Sequence, residues 1–444
     1  MRLTYSFRID KNDKVYSILK GMSRVSKDLY NQALFEVNKH YEETGKTLSY
    51  VEIDRIMKTK TNLDGKINYQ LLPAQVAQQT LMLVDQNIRS FFKALADYKE
   101  HPQKYQIKPR FPGFLPKDGH FILIFTNQKA SIKPSGTIQL MKDVVISIPE
   151  MEFEKYKAHF ILFRQVRIVP KFNGLFFNIE IIYEEEELNS KVDINRVASL
   201  DLGVNNLITF VDNLMGEENR APIIINGRPI KSINQFYNKK RAEIQAFLSM
   251  RRGESPQKFI ASSRSSNGQK KSKELMKITD WRNEKIKDYM HKTSRFVINY
   301  CLEHKIGHIV IGKNSGWKQE INIGSRNNQN FVAIPFELLI QQIQYKAQLV
   351  GIKVTIIEES YTSKCSAMDL EAIGKHEDHA YAGKRVKRGL FKSAIGFLIN
   401  ADVNGALNTL RKIIGDNFLK SFIQKVAWLI PSSGYLCYPF KVCF

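Results

Sequence analysis

The segment VASLDLGVNNLITFVDN, residues 197–213, decides the fold class of this chain. Apolar residues fill both of its halves and a tight turn around Gly203 separates them, so the segment predicts two strands. Asp201 stands inside the first strand, where an apolar residue is expected. Because an ionised carboxylate is costly to bury without a cationic partner, Asp201 is a candidate metal ligand.

Downstream of about residue 196, predicted strands and helices alternate, which is typical of an α/β sheet. HIVIGKN (308–314) predicts a buried parallel strand and IKVTIIEES (352–360) predicts another. The segment between them, IPFELLIQQIQYKAQLVG (334–351), has the apolar spacing of a helix, and ADVNGALNTLRKII (401–414) predicts the last helix. We therefore expect an α/β domain over residues 196–444.

The N-terminal part predicts a β domain interrupted by helices. Residues 1–10 alternate with a period of two, and this period returns after the prolines of KPRFPGF (108–114). Residues 11–105 carry apolar side chains at helical spacing instead. We expect a β-barrel or sheet built from residues 1–10 and 106–195, with a helical domain inserted at residues 11–105.

The composition describes a strongly basic globular protein. Lys and Arg number 67 among 444 residues against 44 Asp and Glu, for a formal net charge of +23. Such an excess favours association with a polyanion such as nucleic acid. No apolar stretch reaches the length of a membrane span, no secretory signal opens the chain, and four cysteines suit a reducing compartment. These features predict a cytoplasmic protein.

The basic residues are densest between residues 228 and 295. Leu and Ile at helical spacing run through this region, which predicts long helices whose cationic faces follow phosphates, although a solvated face is the simpler interpretation of any single segment. The candidate nucleic-acid ligands are Lys239, Lys240, Arg241, Arg251, Arg252, Lys270, Lys271, His291 and Lys292, with Lys364 farther along the chain.

Asp402 is the second candidate metal ligand, at the start of the last predicted helix. Its alternative role is to cap that helix, because Asp is a favoured N-cap residue. RNase H-type nucleases carry their acids in the same order. One acid lies in a strand near the start of the α/β domain, and another lies at the start of a helix near the end of the domain. There, three acidic side chains hold two Mg²⁺ ions that activate water and stabilise the leaving oxygen of a phosphodiester.

Six motifs occur in an order that resembles the RuvC-like nuclease of the TnpB family. They are DLGVNNL (201–207), DYMHKTSRFVINY (288–300), IVIGKN (309–314), QIQYKA (342–347), ESYTSKCS (359–366) and ADVNGALN (401–408). TnpB proteins are transposon-encoded, RNA-guided DNA endonucleases related to type V CRISPR effectors. The resemblance implies an N-terminal wedge (1–10 and 106–195), a recognition domain (11–105) and a RuvC-like nuclease (196–444), the last with a basic helical hairpin near 228–300.

The same resemblance implies Mg²⁺ or Mn²⁺ as cofactor and a guide RNA and double-stranded DNA as partners, in a monomer or homodimer.

The chain departs from the family at its middle acid, which usually ends the strand that here reads HIVIG. Gly312 stands at this position and cannot bind a metal. The next predicted strand ends in Glu358 and Glu359. Parallel neighbours end on the same edge of a sheet, so one of the two could replace the missing acid. Because side chains alternate along a strand, only one should face the site, and the sequence leaves open which.

The second departure is the zinc ribbon, for which the family carries two Cys-x-x-Cys pairs. Here Cys365 is followed by Met368, and only His376 and His379 stand near it as further ligands, without zinc spacing. We expect a degenerate loop near 364–398 without structural zinc.

Two functions follow from these features. The first is an RNA-guided DNA endonuclease with Asp201, Asp402 and Glu358 or Glu359 as metal-binding catalytic residues. The alternative is a nuclease-inactive relative that occupies DNA under RNA guidance and represses transcription, which Gly312 favours.

Overall fold

A computed structural model describes residues 1–188, 190–215, 220–251, 272–314, 329, 331–376, 380–426 and 439–444. The chain divides into two compact units, Met1–Glu186 and Glu187–Phe444. Strands and helices occur in both, so the predicted mixed α/β class is confirmed. No helix within the described ranges is long and apolar enough to cross a membrane.

The first unit begins with strand β1 and continues into helices, as the change of period at residue 11 predicts. Helices α1 and α3 bury a continuous stripe of side chains that includes Leu29, Leu34, Leu81 and Val84. A capping box between Ser49 and Glu52 starts the short helix between them. The elements are β1 (Arg2–Ile9), α1 (Tyr16–Thr44), α2 (Tyr50–Met57), α3 (Ala74–Glu100) and α4 (Glu150–Tyr156), with 3₁₀ turns at Asn68–Leu71, Pro102–Lys104 and His159–Leu162.

The remaining strands of this unit form two antiparallel sheets. Strands β2 (Leu123–Thr126), β6 (Phe163–Lys171) and β7 (Phe176–Glu184) join β1 in the order β1-β7-β6-β2, while β3 (Ser131–Ile132), β4 (Thr137–Met141) and β5 (Val144–Ser147) pair separately. Asn173 and Gly174 adopt positive φ in the turn between β6 and β7, as is typical of an Asn-Gly hairpin turn. Because the strands belong to two sheets, the predicted barrel is not confirmed.

The second unit is built on a six-stranded sheet in the order β12-β11-β8-β9-β10-β16. Its central hairpin is formed by residues 197–213, in which β8 and β9 pair antiparallel around Gly203. Strand β11 pairs in parallel with both β8 and β12, as the sequence predicts. The strands are β8 (Asp193–Leu202), β9 (Asn206–Asp212), β10 (Ile223–Asn226), β11 (Ile306–Gly312), β12 (Lys353–Ile357) and β16 (Phe440–Val442).

Helices cover the two faces of this sheet and divide its core. Ala198 and Leu200 of β8 pack with apolar residues of α6 and α7, whereas Val197 packs with residues of α8. The predicted apolar face of α7 is buried from Phe336 to Ala347. The helices are α5 (Arg228–Arg251), α6 (Lys273–Glu303), α7 (Phe336–Leu349), α8 (Ala401–Ile414) and α9 (Asn417–Val426).

A small three-stranded sheet lies in the segment that the sequence assigns to a degenerate zinc ribbon. It comprises β13 (Lys384–Lys387), β14 (Leu390–Lys392) and β15 (Leu398–Asn400), and the last of these leads directly into α8. At the end of the chain, β16 pairs in parallel with β10, a pairing that the sequence does not reveal.

The contact between β8 and β11 depends on a missing side chain at Gly307. A Cβ atom at this position would lie 2.6 Å from the backbone carbonyl carbon and oxygen of Asp193. We expect Gly307→Ala to lower the free energy of unfolding by about 1–3 kcal/mol, because backbone atoms must move. Urea denaturation measures this, with Gly374→Ala as the control, since nothing lies within 4 Å of a Cβ there. Equal unfolding midpoints for the two variants would contradict the packing described.

Candidate active site

Asp201 lies on the face of β8 that α8 covers. Successive side chains of a strand point to opposite faces, so Asp201 shares its face with Val197 and Ser199 rather than with Leu200. The Ser199 hydroxyl donates a hydrogen bond of 2.5 Å to the carbonyl oxygen of Ala406 in α8. Asp201 itself is partly exposed between two buried leucines. The strand therefore presents a carboxyl group to the start of α8, accessible from one side.

The close approach of α8 to Asp201 requires a glycine. A Cβ atom at Gly405 would lie 3.0 Å from Oδ2 of Asp201 and 3.7 Å from the hydroxyl of Ser363. Either the carboxylate or the helix would have to move to accommodate a larger residue. Gly405, within the motif ADVNGALN, thus leaves room for the carboxyl group.

Glu359, and not Glu358, contacts Asp201. The side chain of Glu358 is exposed and accepts a hydrogen bond of 2.7 Å from the hydroxyl of Ser360. The side chain of Glu359 turns inward, and its carboxyl group hydrogen-bonds to that of Asp201. The backbone N–H of Glu359 donates to the side-chain oxygen of Asn314 at 3.0 Å, which fixes the chain as it leaves β12.

Gly312 provides the space for this inward turn. It pairs with Ile357 in the parallel ladder of β11 and β12. A Cβ atom at Gly312 would lie 3.0 Å from Cδ of Glu359 and 3.3 Å from Oε1. The carboxyl group of Glu359 therefore occupies the space into which a side chain at position 312 would project. Gly312 at the end of β11 and Glu359 after β12 are therefore sterically complementary.

Asp201 and Glu359 both have pKa values above the ordinary carboxyl range. Burial is the main cause for Asp201, and the carboxyl groups of Glu359 and Asp402 raise its pKa further, while the charge of Arg385 opposes the shift. Burial also raises the pKa of Glu359, against the effects of the hydrogen bond to Asp201 and the charge of Lys412. Two carboxyl groups in contact can share a proton or a cation, so their contact favours the protonated form of the pair when no cation is bound.

Asp402 does not cap α8. Asn400 is the N-cap residue, and its side-chain oxygen accepts from the backbone N–H of Asp402 at 2.9 Å and of Val403 at 3.3 Å. The alternative role of Asp402 as the N-cap residue is therefore wrong, because the N-cap residue lies two positions earlier in the chain. Its own carboxylate accepts a hydrogen bond of 2.6 Å from the side-chain amide of Asn206, at the start of β9. This leaves Asp402 beside the pair, close enough to raise the pKa of both members.

The three acids have the donor chemistry of a Mg²⁺ site, without forming a closed ligand set. Carboxylate oxygens are the ligands that Mg²⁺ prefers, and each of the three residues is partly exposed. Across the residues that the structure describes, no three His, Cys, Asp or Glu side chains are grouped closely enough to hold a metal ion. The contact between Asp201 and Glu359 is the feature that suits a cation, since it brings two acids together within the protein.

A basic cavity of about 460 Å³ opens beside these acids. The charge of Arg385 reaches Asp201, and the ammonium group of Lys364 lies 5.9 Å from the centres of the rings of Tyr361 and Tyr381. The cavity is lined by Ser363, Lys364, Tyr381, Gly383, Lys384, Arg385 and Phe391. Such a cavity can hold an anionic group next to the carboxyl cluster.

The other basic residues singled out in the sequence lie on helices. Lys239, Lys240 and Arg241 are exposed on α5, and Lys292 of α6 is exposed and pairs with Asp288 at 2.9 Å. Burial and the nearby Lys346 and Lys287 lower the pKa of His291 to about 4, so its imidazole is neutral at physiological pH. Arg252, Lys270 and Lys271, and the side chain of Arg251, lie outside the described residues.

Two asparagines that hold the site together are not among the candidate residues that the sequence predicts. Asn404 and Asn408 are fully buried in α8 and hold the loop after Glu359. The amide of Asn404 donates to the carbonyl of Cys365 at 2.8 Å, and that of Asn408 donates to the carbonyl of Thr362 at 2.9 Å. The sequence does contain a signal for these two residues. Their amide side chains stand among the apolar residues of a predicted helix, and buried polar groups need hydrogen-bond partners.

Two family models match segments of the chain between residues 180 and 409. One, described as "Probable transposase", matches residues 180–318 and so includes Asp201. The other, described as "Cas12f1-like, TNB domain", matches residues 336–409 and so includes Glu359 and Asp402.

Two curated proteins are similar to the chain. The CRISPR-associated endodeoxyribonuclease Cas12f1 of Sulfoacidibacillus thermotolerans is 25% identical over 253 residues, covering 54% of this chain and 52% of that protein. The TnpB-like protein ORF457 of Acidianus two-tailed virus is 26% identical over 226 residues, covering 50% of this chain and 42% of that protein. The chain thus spans about half the length of the curated relatives it matches.

A solved structure resembles most of the chain in fold. It is the cryo-EM structure of a Cas12f1–sgRNA–target DNA complex, with a TM-score of 0.55 at 13% sequence identity. The match covers 89% of this chain and 82% of that protein. At this identity the likeness concerns the fold.

The raised pKa values lead to a test of the carboxyl pair in the absence of metal. A raised pKa means that the folded state holds its proton more tightly than the unfolded state, so stability is complete below the ordinary carboxyl range and declines as pH rises through the raised pKa. We expect Asp201→Asn to be more stable than the wild type at pH 7 in EDTA, because the amide carries no charge that burial and the neighbouring carboxyl groups would disfavour. This difference should shrink on acidification.

Urea denaturation at a series of pH values measures this difference. Glu358→Gln is the control, because it neutralises an exposed carboxylate that lies next to Glu359 in sequence. An Asp201→Asn variant that is no more stable than the wild type at any pH would show that the two carboxyl groups are not in contact.

Proposed function

We propose that this chain, a TnpB-family protein, is an RNA-guided endonuclease that hydrolyses phosphodiester bonds in DNA. The observation that carries the proposal is the contact between Asp201 and Glu359 over Gly312, with Asp402 entering from α8. Similarity to an endodeoxyribonuclease and to a complex with sgRNA and target DNA supports guide RNA and double-stranded DNA as the partners. A sheet in which Asp201 of β8 and Glu359 after β12 meet across the intervening strand β11 supports a RuvC-like, RNase H-like nuclease domain.

The proposed domains and their roles follow the two compact units. Residues 196–444 would form the nuclease, and residues 1–10 with 106–195 would form the wedge around a recognition domain at 11–105. The break between Glu186 and Glu187 supports a division near this point, although β8 starts slightly earlier than residue 196. The wedge and recognition domain would read a short motif beside the target, and the guide would supply the remaining specificity by base pairing.

Asp201, Glu359 and Asp402 would hold Mg²⁺ or Mn²⁺. Such ions, when bound, activate water for attack on a phosphodiester and stabilise its leaving oxygen. Binding requires the carboxyl groups of Asp201 and Glu359 to be ionised, and it requires Asp402 to offer an oxygen that Asn206 does not engage. The partly exposed edges of the three residues provide the route by which substrate reaches them.

The basic cavity beside the acids would hold the DNA strand to be cut. Lys364, Lys384 and Arg385 supply positive charge at its wall, which a phosphate group would neutralise. The exposed lysines and arginine of α5 would contact the backbone of guide or target in the same sequence-independent way.

The alternative is a nuclease-inactive protein that occupies DNA under RNA guidance and represses transcription. Gly312 and the open arrangement of the three acids favour it. The inward turn of Glu359 favours the nuclease, because an inactive site has no need to bring two acids into contact. Cleavage and guided binding, measured separately, distinguish the two.

Replacing the two adjacent glutamates one at a time tests the proposal. We expect Glu359→Gln to lower the cleavage rate at least about 100-fold, since loss of even an indirect partner of a metal ligand costs about 10–100-fold. Glu358→Gln, the matched control, should cut like the wild type because its side chain is exposed.

The assay for these variants is cleavage of a plasmid library with a randomised sequence beside a fixed target. The protein is co-expressed with RNA from its own flanking locus, and cleavage is measured with Mg²⁺ or EDTA. Breaks that need Mg²⁺ and Glu359 would support the nuclease. Guided binding by the wild type without breaks would instead establish the DNA-occupying repressor.

A double variant that places a carboxylate at position 312 of β11 and removes the one at position 359 tests the complementarity of Gly312 and Glu359. We expect Gly312→Glu combined with Glu359→Ala to cut at least about tenfold faster than Glu359→Ala alone, because the new side chain enters the same space. Gly312 does not have the positive φ that would disfavour a side chain. Gly312→Ala alone should slow cleavage by displacing Glu359. A double variant as inactive as Glu359→Ala, yet folded, would contradict the shared position.

A further inference from the structure

The segment containing β13, β14 and β15 is tied together by the carboxylate of Glu371. Only 7% of this side chain is exposed. Its Oε2 accepts a hydrogen bond of 2.6 Å from the backbone N–H of Ser366, and its Oε1 accepts one of 2.9 Å from the backbone N–H of Ala382. The carboxylate thus joins the loop after the Tyr-Thr-Ser motif to the chain that enters β13.

Asp369 makes a second connection of the same kind. Its Oδ2 accepts from the backbone N–H of Ala394 at 2.7 Å and its Oδ1 accepts from that of Ile395 at 3.2 Å. These two N–H groups belong to the turn between β14 and β15. Four backbone donors from three stretches of chain are therefore held by two carboxylates.

Within the described part of this segment, the two candidate zinc ligands Cys365 and His376 both have other partners. Cys365 is buried, its thiol faces the carbonyl of Gly374 at 3.7 Å, and burial raises the pKa of the thiol, which keeps it protonated. One ring nitrogen of His376 lies 2.9 Å from the carbonyl of Ala372 and the other lies 3.5 Å from Oε1 of Glu371. A cysteine binds zinc as its thiolate, and a histidine binds it through a ring nitrogen that carries no proton. His379 lies outside the described residues.

Apolar packing completes the interior of the segment. Met368 stands three positions after Cys365, where the family carries cysteine, and its side chain is 1% exposed. It belongs to the same apolar cluster as Phe391, Phe397 and Ile399, which also packs against α8. Arg411 of α8 donates to the carbonyl of Glu371 at 3.0 Å and so fixes the backbone beside the carboxylate.

We propose that the carboxylates of Glu371 and Asp369 hold this segment together in place of a structural metal ion. We name the two residues, with the four N–H groups they accept from, the carboxylate clamp. It differs from a metal site in that its ligands are backbone donors, which need no cysteine. By anchoring Ala382, the clamp fixes the start of β13, the strand that carries Lys384 and Arg385 of the basic cavity.

The first test measures zinc in the purified full-length protein. Elemental analysis should find far less than one zinc ion per chain after purification without chelators. Addition of 1,10-phenanthroline should leave the midpoint of thermal unfolding unchanged. Stoichiometric zinc, with a lower midpoint after chelation, would overturn the proposal. This result does not depend on whether the protein cuts DNA.

The second test measures local opening of the segment by amide hydrogen exchange. Glu371→Gln replaces one accepting oxygen by a donor, so we expect exchange at Ser366 and Ala382 to quicken about 10- to 100-fold. Asp369→Asn should do the same at Ala394 and Ile395, while each variant leaves β8 and β11 protected. Glu358→Gln, outside the clamp, should change neither set. Wild-type protection at all four amides in both clamp variants would overturn the proposal.

Discussion

The structure of the second unit depends on the contact between two acids, Asp201 and Glu359. Bringing two carboxyl groups together inside a protein is unfavourable unless a proton or a cation lies between them. The fold imposes this contact through three neighbouring strands: β8 carries Asp201, β11 ends at Gly312, and the chain after β12 turns Glu359 into the space above that glycine. Gly405 lets α8 approach from the other side with Asp402 near its start. These features agree with a site built to receive a cation.

The same edge of the sheet accommodates the proposed transfer of an acid from one strand to the next. Gly312 and Glu359 are complementary in volume, so the carboxyl group of Glu359 occupies the space that a side chain at position 312 would enter. The carboxylate clamp is a comparable exchange, in which Glu371 and Asp369 accept from backbone N–H groups around a buried Met368. In both proposals, side chains at other positions in the sequence take over the role of residues that the family resemblance leads us to expect.

Much of the fold could be predicted from periodicity alone. The hairpin around Gly203, the parallel pairing of β11 with β12 and the buried face of α7 all follow from apolar spacing, because packing against a core enforces that spacing. The choice between Glu358 and Glu359 could not be predicted, since β12 ends at Ile357 and the alternation of side chains is lost beyond it. The cap of α8 was misplaced for a similar reason: Asn400 and Asp402 both favour a helix start, and only the backbone shows which one caps it. The pairing of β16 with β10 joins residues far apart in sequence and leaves no local signal.

The central claim is that Asp201, Glu359 and Asp402 bind a divalent cation together. Anomalous diffraction from crystals soaked in Mn²⁺ tests it most directly, because the ion can be located independently of any activity. The account predicts a peak within about 2.0–2.4 Å of oxygens from all three residues, a range that spans typical bonds from oxygen to small divalent cations. The absence of a peak there, or a peak bound by Glu358 instead of Glu359, would contradict it.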